Sequence, residues 1–143
     1  QPDLVVFSQS DAVPGTGIGN VDWAEKTIST IRQVQAASIP VAYIMDTPYP
    51  GINVPECAAR HLDNVGACTG KRDRVWPYPG RHETLAQTLG AAGVTTIEPI
   101  DWFCTVTDCP PTVGNLLVYR DAGHMSTAYS AWLAPMLAPL FHT

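Results

Sequence analysis

The sequence predicts an α/β fold: three layers, with a mostly parallel sheet flanked by helices and two local disulfide loops. Three observations carry this expectation. Short apolar runs alternate with amphipathic segments, as strand–helix–strand units require. Hydrophobic residues make up 45% of the 143 and charged residues only 15%, which suits a packed core and excludes disorder. The four cysteines, Cys57, Cys68, Cys104 and Cys109, fall into two pairs that are close in sequence.

Asp3 to Ser8 (Asp-Leu-Val-Val-Phe-Ser) is an apolar run bounded by turn residues and reads as a buried parallel strand. Asp11 to Asn20 is a loop rich in Gly and Pro. Its Gly15-Thr-Gly17-Ile-Gly19 has the wrong spacing for a dinucleotide fingerprint. Asp22-Trp-Ala-Glu25 has the form of a capping box. The helix it opens runs to about Ala37, with Trp23, Ile28, Ile31 and Val34 near one face. Pro40 to Asp46 is the next strand, so the unit implies a right-handed parallel crossover.

Thr47 to Pro79 is irregular, with a short helix expected around Glu56 to Leu62. A loop of that length is uncommon unless functional or stapled. Arg81 to Ala92 is a helix carrying Leu85 and Leu89, stopped by Gly93. Val94 to Ile97 is a short strand, and Asp101 to Phe103 a brief helical turn. Leu116 to Tyr119 reads as the last, half-buried strand. Ser126 caps the final helix, whose Tyr129, Trp132, Leu133, Met136, Leu137 and Leu140 follow helical spacing and suggest core packing. Pro135 and Pro139 predict a kink or a restart. We expect one domain over residues 1–143.

Local pairing of the cysteines would give two small disulfide loops. In the chain-entropy model Cys57–Cys68 contributes about 3 kcal/mol and Cys104–Cys109 about 2. Zinc is the rival. Cys104 and Cys109 have a compatible spacing, but Cys57 and Cys68 do not, and His61 has no second His nearby. No metal and no cofactor are expected. Disulfides imply an extracytoplasmic, oxidising compartment. The net charge of −5 disfavours nucleic acid and anionic membrane surfaces as partners. The basic cluster Lys71-Arg72-Asp73-Arg74 reads as a solvated loop, with a phosphate contact as the alternative. No run of about 20 apolar residues is present.

The chemistry points to the end of the chain, Tyr119-Arg-Asp121-Ala-Gly-His124-Met-Ser126. An Asp and a His three residues apart on a tight turn can hydrogen-bond. The carboxylate then holds the imidazole tautomer while the other ring nitrogen works as a base. The expected setting is a strand-to-helix turn at the carboxyl end of the sheet, bent by Gly123. His61, His82 and His142 have surroundings that suggest solvent or ordinary packing.

These residues resemble the SGNH hydrolases, also called GDSL-type esterases. More narrowly, they resemble the extracytoplasmic SGNH domain fused to membrane acyltransferases of acyltransferase family 3. The resemblance rests on Pro2–Ser8, Pro40–Pro48, Val54-Pro-Glu-Cys57, Cys68, Trp102-Phe-Cys104, Cys109-Pro and above all Val113–Ser126. It implies a flavodoxin-like sheet, His124 as general base and Asp121 as its orienting carboxylate. It also implies a serine on a Gly-Asp-Ser turn, and no such triplet occurs here. The resemblance places Gln1 midway into such a domain, so a segment carrying the serine is expected upstream. Without it the chain would need a companion segment or self-association.

The family's oxyanion Asn has no counterpart after the first strand, where Ser8, Gln9 and Ser10 stand instead. They are the candidates for oxyanion or substrate contacts, with ordinary loop residues as the alternative. Ser8 or Ser10 as nucleophile would lack the glycine elbow. The implied function is transfer or hydrolysis of a short acyl group on an envelope glycan or glycolipid. The partners would be an acyl donor or acyl-ester glycan and a membrane acyltransferase domain in the parent protein. The competing expectation is a non-catalytic module that binds glycan or positions a partner, with Trp76, Tyr78 and Tyr49 as stacking faces.

Overall fold

The computed structural model describes residues 2–12 and 17–138. Gly15 and Thr16 of the glycine-rich loop, and Pro139, Leu140 and His142 at the chain end, lie outside the described residues. The chain divides into two compact units, Gln1–Thr47 with Trp76–Pro99, and Pro48–Val75 with Ile100–Thr143.

The first unit holds a three-stranded parallel sheet in the order β1-β2-β4, built from β1 (Val5–Ser8), β2 (Val41–Ile44) and β4 (Thr95–Ile97). Val5 pairs with Val41 and Ala42 with Thr95. Helices α1 (Asn20–Gln35) and α3 (Pro79–Ala91) pack together and bury the sheet face. Ala24, Ile28 and Ile31 of α1 and Leu85 and Leu89 of α3 meet Val41, Tyr43 and Met45 there. The parallel sheet flanked by helices is the predicted class.

Helix α1 begins earlier than the capping box implied. Gly19 is its N-cap and makes no side-chain cap, while Asp22 sits inside the first turn. There its charge faces the positive end of the helix dipole, which serves the same electrostatic purpose. Gly93, at φ +68°, ends α3 as expected, because the left-handed region costs a glycine little.

In the second unit both predicted disulfides are present, Cys57–Cys68 and Cys104–Cys109. Helix α2 (Val54–Arg60) is capped by Asn53, which accepts from Glu56 N. A two-residue strand β3 (Gly70–Lys71) pairs antiparallel with β5 (Asp108–Cys109). This ladder sews the two disulfide loops to each other. The basic cluster is part of the seam: Lys71 pairs with Asp108, and Arg72 Nη1 lies 2.7 Å from Asp101 Oδ1 and donates to Thr105 O. For Lys71 and Arg72 this replaces the expected solvated loop.

Leu116 to Tyr119 does not extend the parallel sheet. Strand β7 (Leu116–Leu117) folds back on β6 (Thr112–Val113) as an antiparallel hairpin. Gly114, at φ +56°, and Asn115 form its turn, a two-residue signal for a hairpin. The short helix α4 (Ile100–Phe103) and the final helix α5 (Thr127–Leu137) supply Phe103, Tyr129 and Leu133 to an aromatic core with Val118 and Tyr119. Helix α5 runs through Pro135 without a break. The missing donor falls in the last turn, where few backbone bonds depend on it. Its stripe is only partly core: Trp132 and Met136 are exposed.

Candidate active site

The chain from Val118 to Ser126 makes a narrow loop. Tyr119 and Met125 form an antiparallel bridge, and Arg120 N donates to His124 O at 2.9 Å. Ser126 closes it on the far side. Its amide donates to Val118 O, its hydroxyl donates to Leu117 O, and Oγ accepts Tyr129 N to cap α5. Tyr119 is buried, and its hydroxyl donates to Pro48 O at 2.6 Å. The loop therefore stands on a fixed base, and its tip, residues 120–124, presents Asp121 and His124.

Asp121 does two jobs. Its Oδ1 accepts the backbone amides of Gly123 (2.9 Å) and His124 (2.7 Å), an Asx-type closure of the turn. Its carboxylate also meets His124 Nδ1, from Oδ1 at 3.0 Å and from Oδ2 at 2.9 Å. The two backbone amides, with the His124 ring, hold the Asp121 carboxyl down at about 2. It stays ionised and acceptor-only, so the proton on Nδ1 belongs to the ring and Nε2 is left with its lone pair. The side chain of His124 is 71% exposed, and Nε2 has no hydrogen-bond partner among the described residues.

Gly123 matters for a reason other than backbone bending, since its φ is not in the left-handed region. A Cβ at this position would lie 2.8 Å from Cε1 of Tyr49. The glycine lets the ring of Tyr49 seat against the turn.

Ser8, Gln9 and Ser10 belong to the other unit. Ser8 ends β1, Gln9 Nε2 donates to Thr27 Oγ1 at 2.8 Å, and Ser10 Oγ accepts Ala12 N at 3.1 Å. Gln9 and Ser10 are thus committed to their own neighbourhood. Ser126, two residues after His124, has its hydroxyl committed to Leu117 O and to the cap of α5. Two of the proposed stacking aromatics are also engaged: Trp76 lies flat on His82 and Tyr78 lies against the Arg81 guanidinium.

His82 departs most from expectation. It is buried, with Nδ1 2.8 Å from Asp11 Oδ2 and Nε2 2.8 Å from Glu98 Oε2. A signal was present in the sequence: Asp11 and Glu98 each follow a predicted strand within a few residues, and Asp46 ends one. Among the described residues no group of His, Cys, Asp and Glu is arranged to hold a metal ion. No described helix is long and apolar enough to cross a membrane.

The model of the SGNH domain fused to AT3 domains matches residues 3–139. The chain belongs to this family. The SGNH domain is also similar to the solved periplasmic domain of a lipopolysaccharide acetyltransferase from Salmonella ser. Paratyphi A, with a TM-score of 0.71 at 19% identity. The match covers 99% of this chain and 57% of that one, so the SGNH domain described here spans little more than half the length of its neighbour. At that identity the likeness establishes the fold. No curated protein matches the chain significantly.

Proposed function

We propose that this SGNH domain carries out serine-type acyl transfer, moving a short acyl group such as acetyl onto a hydroxyl of an envelope glycan or glycolipid. One observation carries the reading: both oxygens of Asp121 hold Nδ1 of His124, whose side chain is exposed and whose Nε2 has no partner among the described residues. That is the geometry of a general base awaiting a hydroxyl. His124 Nε2 takes the proton of a serine hydroxyl as its Oγ attacks the acyl carbonyl. The same proton then goes to the departing group. The acyl-serine is relieved by the glycan hydroxyl, or by water in hydrolysis, through the same base. Asp121 steadies the imidazolium formed in each half.

The nucleophilic serine belongs, in this proposal, to a segment outside the 143 residues. The absence of a Gly-Asp-Ser triplet supports this. So does the 57% coverage of the similar Salmonella domain, which is itself the periplasmic part of an acetyltransferase. The family's fusion to AT3 domains supports a membrane acyltransferase domain as the partner and an extracytoplasmic, tethered location. The two disulfides agree with an oxidising compartment.

The test is acetyl-ester hydrolysis by this chain and by a chain extended upstream. Activity confined to the longer form is the expected result. Equal activity in both would place the nucleophile within these residues, and inactivity in both would remove the triad.

One observation favours the competing reading of a glycan-binding module: Asp121 already has a structural task in closing the turn. An extended chain that binds envelope glycan equally well with and without His124→Gln, and never turns over ester, would establish that reading.

A further inference from the structure

Each parallel strand of the first unit delivers a carboxylate just past its carboxyl end. Asp11 follows β1, Asp46 follows β2 and Glu98 follows β4. This is the edge at which open α/β sheets gather their reacting groups. His82, in the first turn of α3, is clasped between two of the three, with Nδ1 on Asp11 and Nε2 on Glu98. Its ring lies flat on Trp76 at 3.9 Å between centroids, and its side chain is 10% exposed. The third carboxylate, Asp46, accepts the backbone amide of Asp11 at 2.8 Å and that of Thr47 at 2.9 Å.

Arg81 completes the hold. It donates to the carbonyls of Asp11 (3.0 Å) and Ile18 (3.3 Å), with its guanidinium over the rings of Trp23 and Tyr78. Tyr43 of β2 lies in the field of Asp11 and Asp46. The side chain, carbonyl and amide of Asp11 are therefore gripped by α3 on one side and by the exit of β2 on the other. Asp11 is the residue that follows Gln9 and Ser10.

We propose that His82 is a positioning residue whose doubly protonated ring latches the loop leaving β1, and so fixes Gln9 and Ser10 at the carboxyl edge of the sheet. The chemistry is specific. Two carboxylates facing the two ring nitrogens require two N–H donors. A neutral imidazole satisfies one and turns a lone pair on the other. Losing the proton replaces one charge-assisted bond by repulsion, and the loop is released from α3 or from Glu98. An apolar contact would hold the loop at a lower desolvation cost, but without dependence on a proton. Burial works against the ring's charge, yet the hydrogen bonds and charges of Asp11 and Glu98 outweigh it and raise the ring to about 9. The latch does not rest on the acyl-transfer reading.

The experiment is an NMR titration of the chain from neutral to alkaline pH, with His82→Gln beside it. The ring of His82 should titrate near pH 9, and the amides of Gln9, Ser10, Asp11 and Ala12 should shift with the same midpoint. In H82Q that transition should vanish, and those amides should exchange with solvent at least about tenfold faster at neutral pH.

Loop amides that stay silent through the ring titration, a ring titrating at or below the ordinary 6.5, or unchanged exchange in H82Q would each overturn the latch. If H82Q does not fold, the titration of the unsubstituted chain decides. A chain without ester turnover refutes the acyl-transfer reading, and the amide measurements still judge the latch.

Discussion

Asp121 grips Nδ1 of His124 with both carboxylate oxygens, at 3.0 and 2.9 Å, and with the same group closes the turn on which His124 stands. Orientation of the ring and closure of the loop are therefore one structural event. Asp121→Asn separates them. An amide oxygen can still accept the amides of Gly123 and His124, but the neutral side chain gives up the charge that favours Nδ1–H. We expect D121N to fold with somewhat reduced stability at neutral pH, because the charge held by the Gly123 and His124 amides is gone, and to lose about 10²- to 10⁴-fold in kcat for acetyl-ester hydrolysis in the extended chain. Rates beside thermal melts distinguish this from simple unfolding.

The same carboxylate fixes an acid limit. With Asp121 held down at about 2, its contribution is present in full above the ordinary 3.8 and is lost as pH falls through about 2. The amide resonances of Gly123 and His124 should keep their positions down to about pH 3 and move below it. A midpoint near 4 in both would contradict the bidentate arrangement.

His82 predicts the opposite dependence. A ring raised to about 9 stabilises the fold fully below 6.5 and loses that contribution as pH climbs through 9. Urea denaturation at pH 6 and pH 10 should differ by at most about 3 kcal/mol on this account, and H82Q should flatten the difference.

Close approach at Gly123 is tested by substitution. Gly123→Ala drives a methyl into the ring of Tyr49, which must shift. We expect a loss of about 1–3 kcal/mol. The double variant G123A/Y49A should lose less than the two single losses summed, as a shared contact requires. Additive losses would mean the two residues do not meet.

Reduction of the disulfides should act unequally. Cys57–Cys68 closes the longer loop and should cost about 3 kcal/mol, against about 2 for Cys104–Cys109. The β3·β5 ladder joins the loops, so losses measured on C57S/C68S and C104S/C109S should couple rather than add. Denaturant midpoints of the two variants and of their combination check this.

Much of the framework was legible because it is local. The strands at Val5–Ser8 and Val41–Ile44, the stop at Gly93, the cap at Ser126 and the pairing of nearby cysteines all follow from neighbours in sequence, although β1, at the edge of the described sheet, alternates between half-buried and exposed residues and is not the buried strand expected. Asp121 and His124 were legible for the same reason, being three residues apart. Leu116–Leu117 was misread because an apolar run does not say which partner it will take. The Gly114-Asn115 turn gave it Thr112–Val113 as its partner. Trp132 and Met136 satisfy helical spacing and are still exposed, since periodicity names a face without saying what covers it.

By itself, the sequence determined the α/β class, the two stapled loops and an imidazole paired with a carboxylate. Each depends on contacts within a few residues, where spacing is geometry. Only the tertiary structure decided that His82 is clasped by Asp11 and Glu98, which lie 71 and 16 residues away, and that Tyr49 leaves Gly123 no room for a side chain. Those relations arise when parallel strands align their ends and long loops return. No local pattern records where distant carboxylates or rings will meet.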